Sequence, residues 1–302
     1  VKEAVNLVTN PNFSATGSEL VVNGDFATDT DWTKGTGWTI SGGAANCDGT
    51  QISGTSLYQS AIQQNKSYLI SFEITARTAG GVGVQDSTKY TAIGTYTYYY
   101  TLTSADTNLY INADVDFIGS IDNVSVKELG GDWDKFADVF PVYNASGVTL
   151  TTSVGGENQI IIQEDVVTIS KSYKVTYTIS AALYTSGSTL KYFNGSIYLD
   201  LPEQGVGTHT FYYTSTSDTN VRWYFNLTTG SGTDEVTISN LTVQELGEGW
   251  NLNNPPFSVV SNGIASDGTA TSDANQNLFP TIGKSYKIVY TIASISSGGY
   301  RI

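Results

Sequence analysis

The side chains that most often make and break bonds are scarce in this chain of 302 residues, which holds one histidine, His209, and one cysteine, Cys47. Acid–base and nucleophilic schemes need a partner within hydrogen-bond reach, and no constellation of residue types offers one to either. Cys47 stands in Cys47-Asp48-Gly49-Thr50, which returns as Ser266-Asp267-Gly268-Thr269, so a thiol is not required at that turn. Gly283-Lys284-Ser285 imitates the end of a phosphate-binding loop, but Leu278 stands where that loop needs its first glycine. Asp114, Asp116 and Gly119 echo a calcium-binding loop, yet Ile118 and Ser125 fall where oxygen ligands belong, which excludes an EF-hand. What remains is recognition chemistry. Tyr110, Asn112 and Asp114 alternate along one segment, and Arg222, Tyr224 and Asn226 alternate along its counterpart. Flat rings stack on the apolar face of a pyranose while amides and charged groups match its hydroxyls, so these six are candidate sugar contacts. The competing reading of the same residues is a solvated or intermodular face.

Strands must position them, and the strands come in copies. Asn65-Lys66-Ser67-Tyr68, Ser170-Lys171-Ser172-Tyr173 and Gly283-Lys284-Ser285-Tyr286 each open a run in which apolar residues alternate. Tyr68, Ile70, Phe72 and Ile74 share one face, as do Tyr173, Val175, Tyr177 and Ile179, and again Tyr286, Ile288, Tyr290 and Ile292; period two over this length reads as a half-buried strand. Gly94-Thr95-Tyr96-Thr97-Tyr98-Tyr99-Tyr100-Thr101 returns as Gly207-Thr208-His209-Thr210-Phe211-Tyr212-Tyr213-Thr214, which gives His209 an aromatic packing role. Tyr96, Tyr98 and Tyr100 form a ladder read as cross-strand packing. Leu109, Ile111 and Ala113 match Val221, Trp223 and Phe225 as inward residues, which turns the six candidates outward. Ile121 to Gly130 matches Ile238 to Gly247, and Trp133 and Trp250 follow directly. Trp32, Trp133 and Trp250, each trailed by Trp38, Phe140 or Phe257, read as core anchors.

The expected architecture is all-β, tandem antiparallel β-sandwich (jelly-roll) modules with very little helix. Because Val1-Lys2-Glu3 matches Val126-Lys127-Glu128, residues 1–19 read as the end of a preceding module plus a linker. Residues 20–130 and 131–247 read as modules 1 and 2, and 248–302 as a partial third. Composition narrows the partners. Lys and Arg number 14 against 28 Asp and Glu, and the net charge of −14 repels nucleic acid and anionic lipid. No stretch is long and apolar enough to span a bilayer as a helix.

Leu20-Val21-Val22-Asn23-Gly24-Asp25-Phe26, followed by Trp32 and by the closing strand Ile121-Asp122-Asn123-Val124-Ser125-Val126, resembles the carbohydrate-binding modules of the galactose-binding-like jelly-roll superfamily. Versions of that module are common in tail and fibre proteins of environmental phages. The resemblance implies a two-sheet jelly roll, often with a structural calcium ion, and sugar bound by aromatic and polar side chains. Calcium would draw on Asp25 or Asp122 with backbone carbonyls as an oxygen-ligand clip. Module 2 departs from the pattern: it has no Asn-Gly-Asp-Phe of its own and carries Ser239 where module 1 has Asp122. Asn10-Pro11-Asn12-Phe13 looks like a second, degenerate opening motif a few residues before the first.

The sequence therefore reads as a non-catalytic structural or adhesive fibre protein, of a phage tail or virion appendage, displayed extracellularly as a homo-oligomer or part of a larger assembly. Its surface would face a cell-surface glycan or receptor. The alternatives are the carbohydrate-binding region of a larger secreted enzyme and a bacterial surface adhesin.

Overall fold

The computed structural model describes residues 5–137, 140–201, 204–247, 250–252, 257–260, 263–266 and 274–276, with scattered positions between 284 and 295. The described residues are all-β, without helix. Module 1 comprises β1 (Thr16–Glu19), β2 (Thr33–Lys34), β3 (Trp38–Ile40), β4 (Ala45–Asp48), β5 (Thr55–Ser60), β6 (Ser67–Ala79), β7 (Val82–Val84), β8 (Gly94–Thr101), β9 (Asn108–Ala113) and β10 (Ile118–Leu129). One sheet runs β3-β4-β10-β6-β8, with β1 on the far half of β10, and the other runs β2-β5-β9-β7. From β4 to β10 successive strands alternate between the two sheets, the connectivity of a jelly roll.

Module 2 repeats the plan with β11 (Asp134–Ala137), β12 (Val142–Asn144), β13 (Gly147–Val154), β14 (Asn158–Gln163), β15 (Ser172–Leu183), β16 (Thr189–Phe193), β17 (Tyr198–Asp200), β18 (Gly207–Thr214), β19 (Val221–Asn226) and β20 (Ser231–Glu245). Its sheets are β12-β13-β20-β15-β18 and β11-β14-β19-β16-β17. Of the expected third module the structure describes two small hairpins, β21 (Trp250–Leu252) with β24 (Ala274–Gln276) and β22 (Phe257–Val260) with β23 (Gly263–Ser266). In the alternating run from Tyr286 to Ile292 the expectation of a half-buried strand fails at the described positions, where Tyr290 and Ile292 lie outside any strand and are 52% and 40% exposed, while Tyr286 and Ile288, like the side chains of Trp250 and Phe257, lie outside what is described.

Alternation fixes the cores. Tyr68, Ile70, Phe72 and Ile74 on β6, and Tyr173, Val175, Tyr177 and Ile179 on β15, are buried between their sheets, and each module has its own cluster of buried side chains. Each such side chain removed from water is worth roughly 1.5–3 kcal/mol. Trp32, Trp38 and Trp133 are buried anchors. Phe140 is not: at 39% exposure it departs from the packing expected of it. Tyr96, Tyr98 and Tyr100 lean inward, half-buried against module 1's core, and His209 rests at 5.4 Å from the Tyr177 ring.

The expectation of a linker over residues 1–19 fails at residues 6–13, which complete module 2. Leu7 N donates to Val243 O at 2.8 Å and Leu241 N to Pro11 O at 2.8 Å; in module 1, Leu20 N donates to Val126 O at 2.9 Å and Val124 N to Gly24 O at 2.9 Å. Asn6 Oδ1 accepts from Val243 N at 2.8 Å, the task of Glu19 Oε1 toward Val126 N at 2.7 Å. Gln163 clasps both backbone groups of Thr9, and Gln59 clasps both of Val22. Phe13 packs on Trp133 with centroids 4.9 Å apart, and Phe26 on Trp32 at 5.4 Å. Even the left-handed backbone repeats, at Asn10 and Phe13 and at Asn23 and Phe26. The second opening motif is module 2's own, set ahead of module 1 in the chain. Its geometry is interrupted at one atom: Asn23 Nδ2 donates to the carbonyls of Thr28 and Thr30, whereas buried Asn10 Nδ2 has no hydrogen-bond partner, because after Ala15 the chain enters β1 instead of turning toward Trp133.

The modules also meet directly. Tyr143 on β12 is fully buried, its N–H donates to Ser67 Oγ at 3.1 Å, and Leu69 on the outer side of β6 packs against module 2's core. Gly130 at the joint has φ +69° and would drive a Cβ to 2.5 Å from the Tyr143 ring, so the turn requires glycine twice over.

Candidate ligand-binding face

The outer side of sheet β11-β14-β19-β16-β17 carries the module 2 candidates. Alternation puts Val221, Trp223 and Phe225 into the core and leaves Arg222, Tyr224 and Asn226 half-exposed on the other side. Register sets their neighbours: Arg222 lies opposite Ile162 on one side and Phe193 on the other, and Tyr224 opposite Ile160 and Lys191. The β16–β17 hairpin adds Phe193 directly across from Tyr198.

Three rings thus converge. Tyr198 is 4.4 Å from Tyr224 at 32° between planes and 4.9 Å from Phe193. Arg222 closes one end, its guanidinium 4.9 Å from the Phe193 centroid and 3.2 Å from Asp218. Lys191 pairs with Asp200 at 3.1 Å beside the rings. At the other end Tyr224 Oη donates to Asn158 Oδ1, which also accepts from Asn226 Nδ2 at 2.5 Å, and Thr228 Oγ1 donates to Asn226 Oδ1 at 3.0 Å. The hairpin tip is fixed in turn: Asn194 Oδ1 accepts from the amides of Ser196 and Ile197, and Asn194 O accepts from Thr216 N. Ile197 and Tyr198 stay 59% and 38% exposed on that held loop.

Module 1's candidates are arranged differently. Tyr110 faces Tyr58 at 5.3 Å, and its hydroxyl donates to Asp106 Oδ2 at 2.8 Å, which raises the phenol's pKa above its ordinary value. Asn112 is consumed by neighbours: Nδ2 donates to Gln85 O at 2.7 Å and Oδ1 accepts from Ser56 at 2.7 Å. Asp114 does not join this face at all, because it caps a turn, taking the amides of Gly81 at 2.7 Å and Asp116 at 3.0 Å. The candidates therefore come together as a ring platform in module 2, and in module 1 as a single tyrosine pair. Phe193 and Tyr198, two of the three platform rings, were not anticipated from the sequence.

At the residues expected to hold calcium, oxygens already serve the chain's own amides. Asp25 lines a shallow open depression with Glu19, Gly24 and Asn123, but the Gly24 carbonyl already accepts from Val124 N, and Glu19 is spent on the amides of Leu20, Val21 and Val126 and on Ser125. Asp122 Oδ1 takes the Asn123 amide at 2.6 Å. Among the described residues no three His, Cys, Asp or Glu side chains gather in one place. Cys47 is buried beside Gln51, and burial pushes its thiol pKa up, the opposite of what a reactive thiolate requires.

Fold and surface together define a tandem β-sandwich protein with an aromatic face on module 2. No family model matches the chain, and no curated protein sequence matches it. Among solved structures, it is similar to the N-terminal CBM22-1–CBM22-2 tandem domain of Xyn10C from Paenibacillus barcinonensis, with 9% identity and a TM-score of 0.29 over 79% of this chain and 100% of that one. At that identity and score the likeness bears on neither ligand nor function.

Proposed function

We propose that the Phe193–Tyr198–Tyr224 face of module 2 binds a neutral oligosaccharide, in a fibre-type structural or adhesive protein whose module 1 acts chiefly as a spacer. The observation that carries this is the convergence of three partly exposed rings on strands and a hairpin tip already locked by internal hydrogen bonds, so little ordering entropy remains to oppose binding. Rings supply the apolar stacking surface, while Lys191 and Asp200 at their margin supply donors and acceptors for hydroxyls. The net charge of −14 disfavours polyanionic glycans. The buried joint at Tyr143, Ser67 and Leu69 suits a stiff spacer of an extracellular appendage such as a phage tail or virion fibre, where repeated weak sites gain through avidity.

The test is calorimetric titration of a panel of neutral oligosaccharides against the full chain. Tyr198→Ala and Tyr224→Ala each weaken the best ligand about tenfold or more, roughly 1.4 kcal/mol per tenfold, while Tyr58→Ala in module 1 leaves affinity within about twofold. Equal losses from Tyr58→Ala and Tyr198→Ala, or no binding across the panel, would remove the proposal.

A further inference from the structure

Module 2 depends on a segment that is not contiguous with it. Residues 6–13 reach it from ahead of module 1, and their hydrogen bonds beyond the segment's own turn go to Trp133, Gln163, Leu241 and Val243. Without them the Leu241 and Val243 amides lose their acceptors and Trp133 loses the ring it packs against. Phe13 is fully buried and Val8 nearly so, both inside module 2's core, so the seat is a true acceptor groove. The tether between this segment and β1 is Ser14 and Ala15 alone. The groove reads only the segment's backbone and side chains, and nothing in its contacts requires that the donor belong to the same chain. The joint recurs downstream: Leu246-Gly247 runs to Trp250 as Leu129-Gly130 runs to Trp133, again with no Asn-x-x-Phe between.

We propose that this opening segment is exchanged between copies of the chain, residues 5–13 of one copy seating in the module 2 groove of a second. An exchanged segment makes the same contacts as a retained one; because Ser14 and Ala15 tie it closely to β1, the joint of Tyr143, Ser67 and Leu69 is remade between the same two copies, and the two arrangements then differ in association entropy and in what the chain between the modules prefers. Within one chain a short tether holds the donor at an effective concentration on the order of millimolar, so dilute copies stay closed. Exchange prevails where copies fold together at high local concentration, as in an assembling fibre, and the resulting link is a segment anchored by buried Val8 and Phe13.

Two differently tagged full-length chains, unfolded together and refolded at high concentration, test this. The expected result is mixed-tag dimers or longer species that persist on dilution and that vanish when both chains carry Phe13→Asp. Because Phe13→Asp also weakens module 2, a second measurement uses the native side chains: a protease site placed between Ser14 and Ala15 is cut after folding, and a fluorescent peptide of residues 5–13 is added. The cut chain takes up one peptide per chain, and a Phe13→Asp peptide is taken up at least tenfold less. Single-tag monomers only after co-refolding, or a cut chain that takes up no peptide at about millimolar concentration, would overturn the proposal.

Discussion

Modules 1 and 2 share a strand plan and differ in where each gets its parts. Module 1 is built from one stretch of chain, with Glu19 to Phe26 leading into Trp32 and its body. Module 2 receives the matching piece from residues 6–13, across the whole of module 1. The second difference lies in the loop joining the long strand to its neighbour in the other sheet. In module 1 that loop is short and is pinned by Asp114, from the end of β9, at Gly81 N. In module 2 it is pinned by fully buried Asp234, from β20, which takes the amides of Ser186 and Ser188 at 2.8 Å each. With the pin on β20, Asn226 sits at the margin of the ring platform, held by Asn158 and Thr228, where its counterpart Asp114 is locked in a turn. A module can thus keep its core and change its surface by relocating one carboxylate.

Removing the same ring from both openers separates the two modules most strongly. Phe13→Ala and Phe26→Ala each delete a buried aromatic, which costs about 3–5 kcal/mol. If residues 6–13 belong to module 2, Phe13→Ala unfolds module 2 and spares module 1, although position 13 adjoins module 1 in sequence. Proton–nitrogen spectra or limited proteolysis of the full chain distinguish the modules; loss of module 1 signals with Phe13→Ala would reverse the assignment.

A smaller effect separates the modules by pH. Burial alone would raise the Asp234 pKa, but the Ser188 and Ser186 amides, with the Ser188 and Thr185 hydroxyls, outweigh it and hold the carboxyl at about 2, below its ordinary 3.8. A depressed pKa means that the unfolded chain binds the proton more readily, so this stability is complete above about pH 4 and drains as pH falls toward 2. Asp234→Ala leaves two amides without their acceptor and costs roughly 1–3 kcal/mol at neutral pH. Acid titration of unfolding should show the cost shrinking as the pH drops through that window; an unchanged difference between wild type and variant at pH 2 and pH 7 would remove the carboxylate from the account.

These differences mark how far the sequence could be read. Period-two runs such as Tyr68 to Ile74 and Tyr173 to Ile179 revealed strands, faces and the all-β class, because alternation is local and repeated. The resemblance of Asn10-Pro11-Asn12-Phe13 to Asn23-Gly24-Asp25-Phe26 was visible too, but its destination was not: the partners Leu241 and Val243 lie at the other end of module 2, and Asn6 replaces Glu19 by doing the same hydrogen-bonding job with a different side chain. Tyr224 was legible as an outward ring by its register beside Trp223. Phe193 and Tyr198 were passed over because module 1 offers no counterpart hairpin to compare. Their signal was the Asn194-Gly195 pair between aromatic-rich flanks, a turn dipeptide that joins adjacent strands. Asp114 misled because an outward position at a strand end is as often a turn cap as a ligand contact.

The finest test concerns a feature the modules hold in common. Lys66 pairs with Glu128 at 2.5 Å, and Lys171 with Glu245 at 3.1 Å, each joining the start of a module's long strand to the end of its closing strand. Side-chain exposures of 38% and 26% in one pair and 40% and 24% in the other leave both partly open to water. Attraction is then screened and opposed by side-chain entropy, so double-mutant cycles should give each pair about 0.2–1 kcal/mol, fading at 1 M salt. The informative quantity is the difference between the cycles. Glu128 lies just before the Leu129-Gly130 joint that packs on Tyr143, so a rigid joint holds its side chain in place and lowers the entropy lost on pairing. The Lys66–Glu128 coupling should therefore equal or slightly exceed that of Lys171–Glu245; a clearly stronger second pair would mean that the joint between the modules is looser than its buried contacts imply.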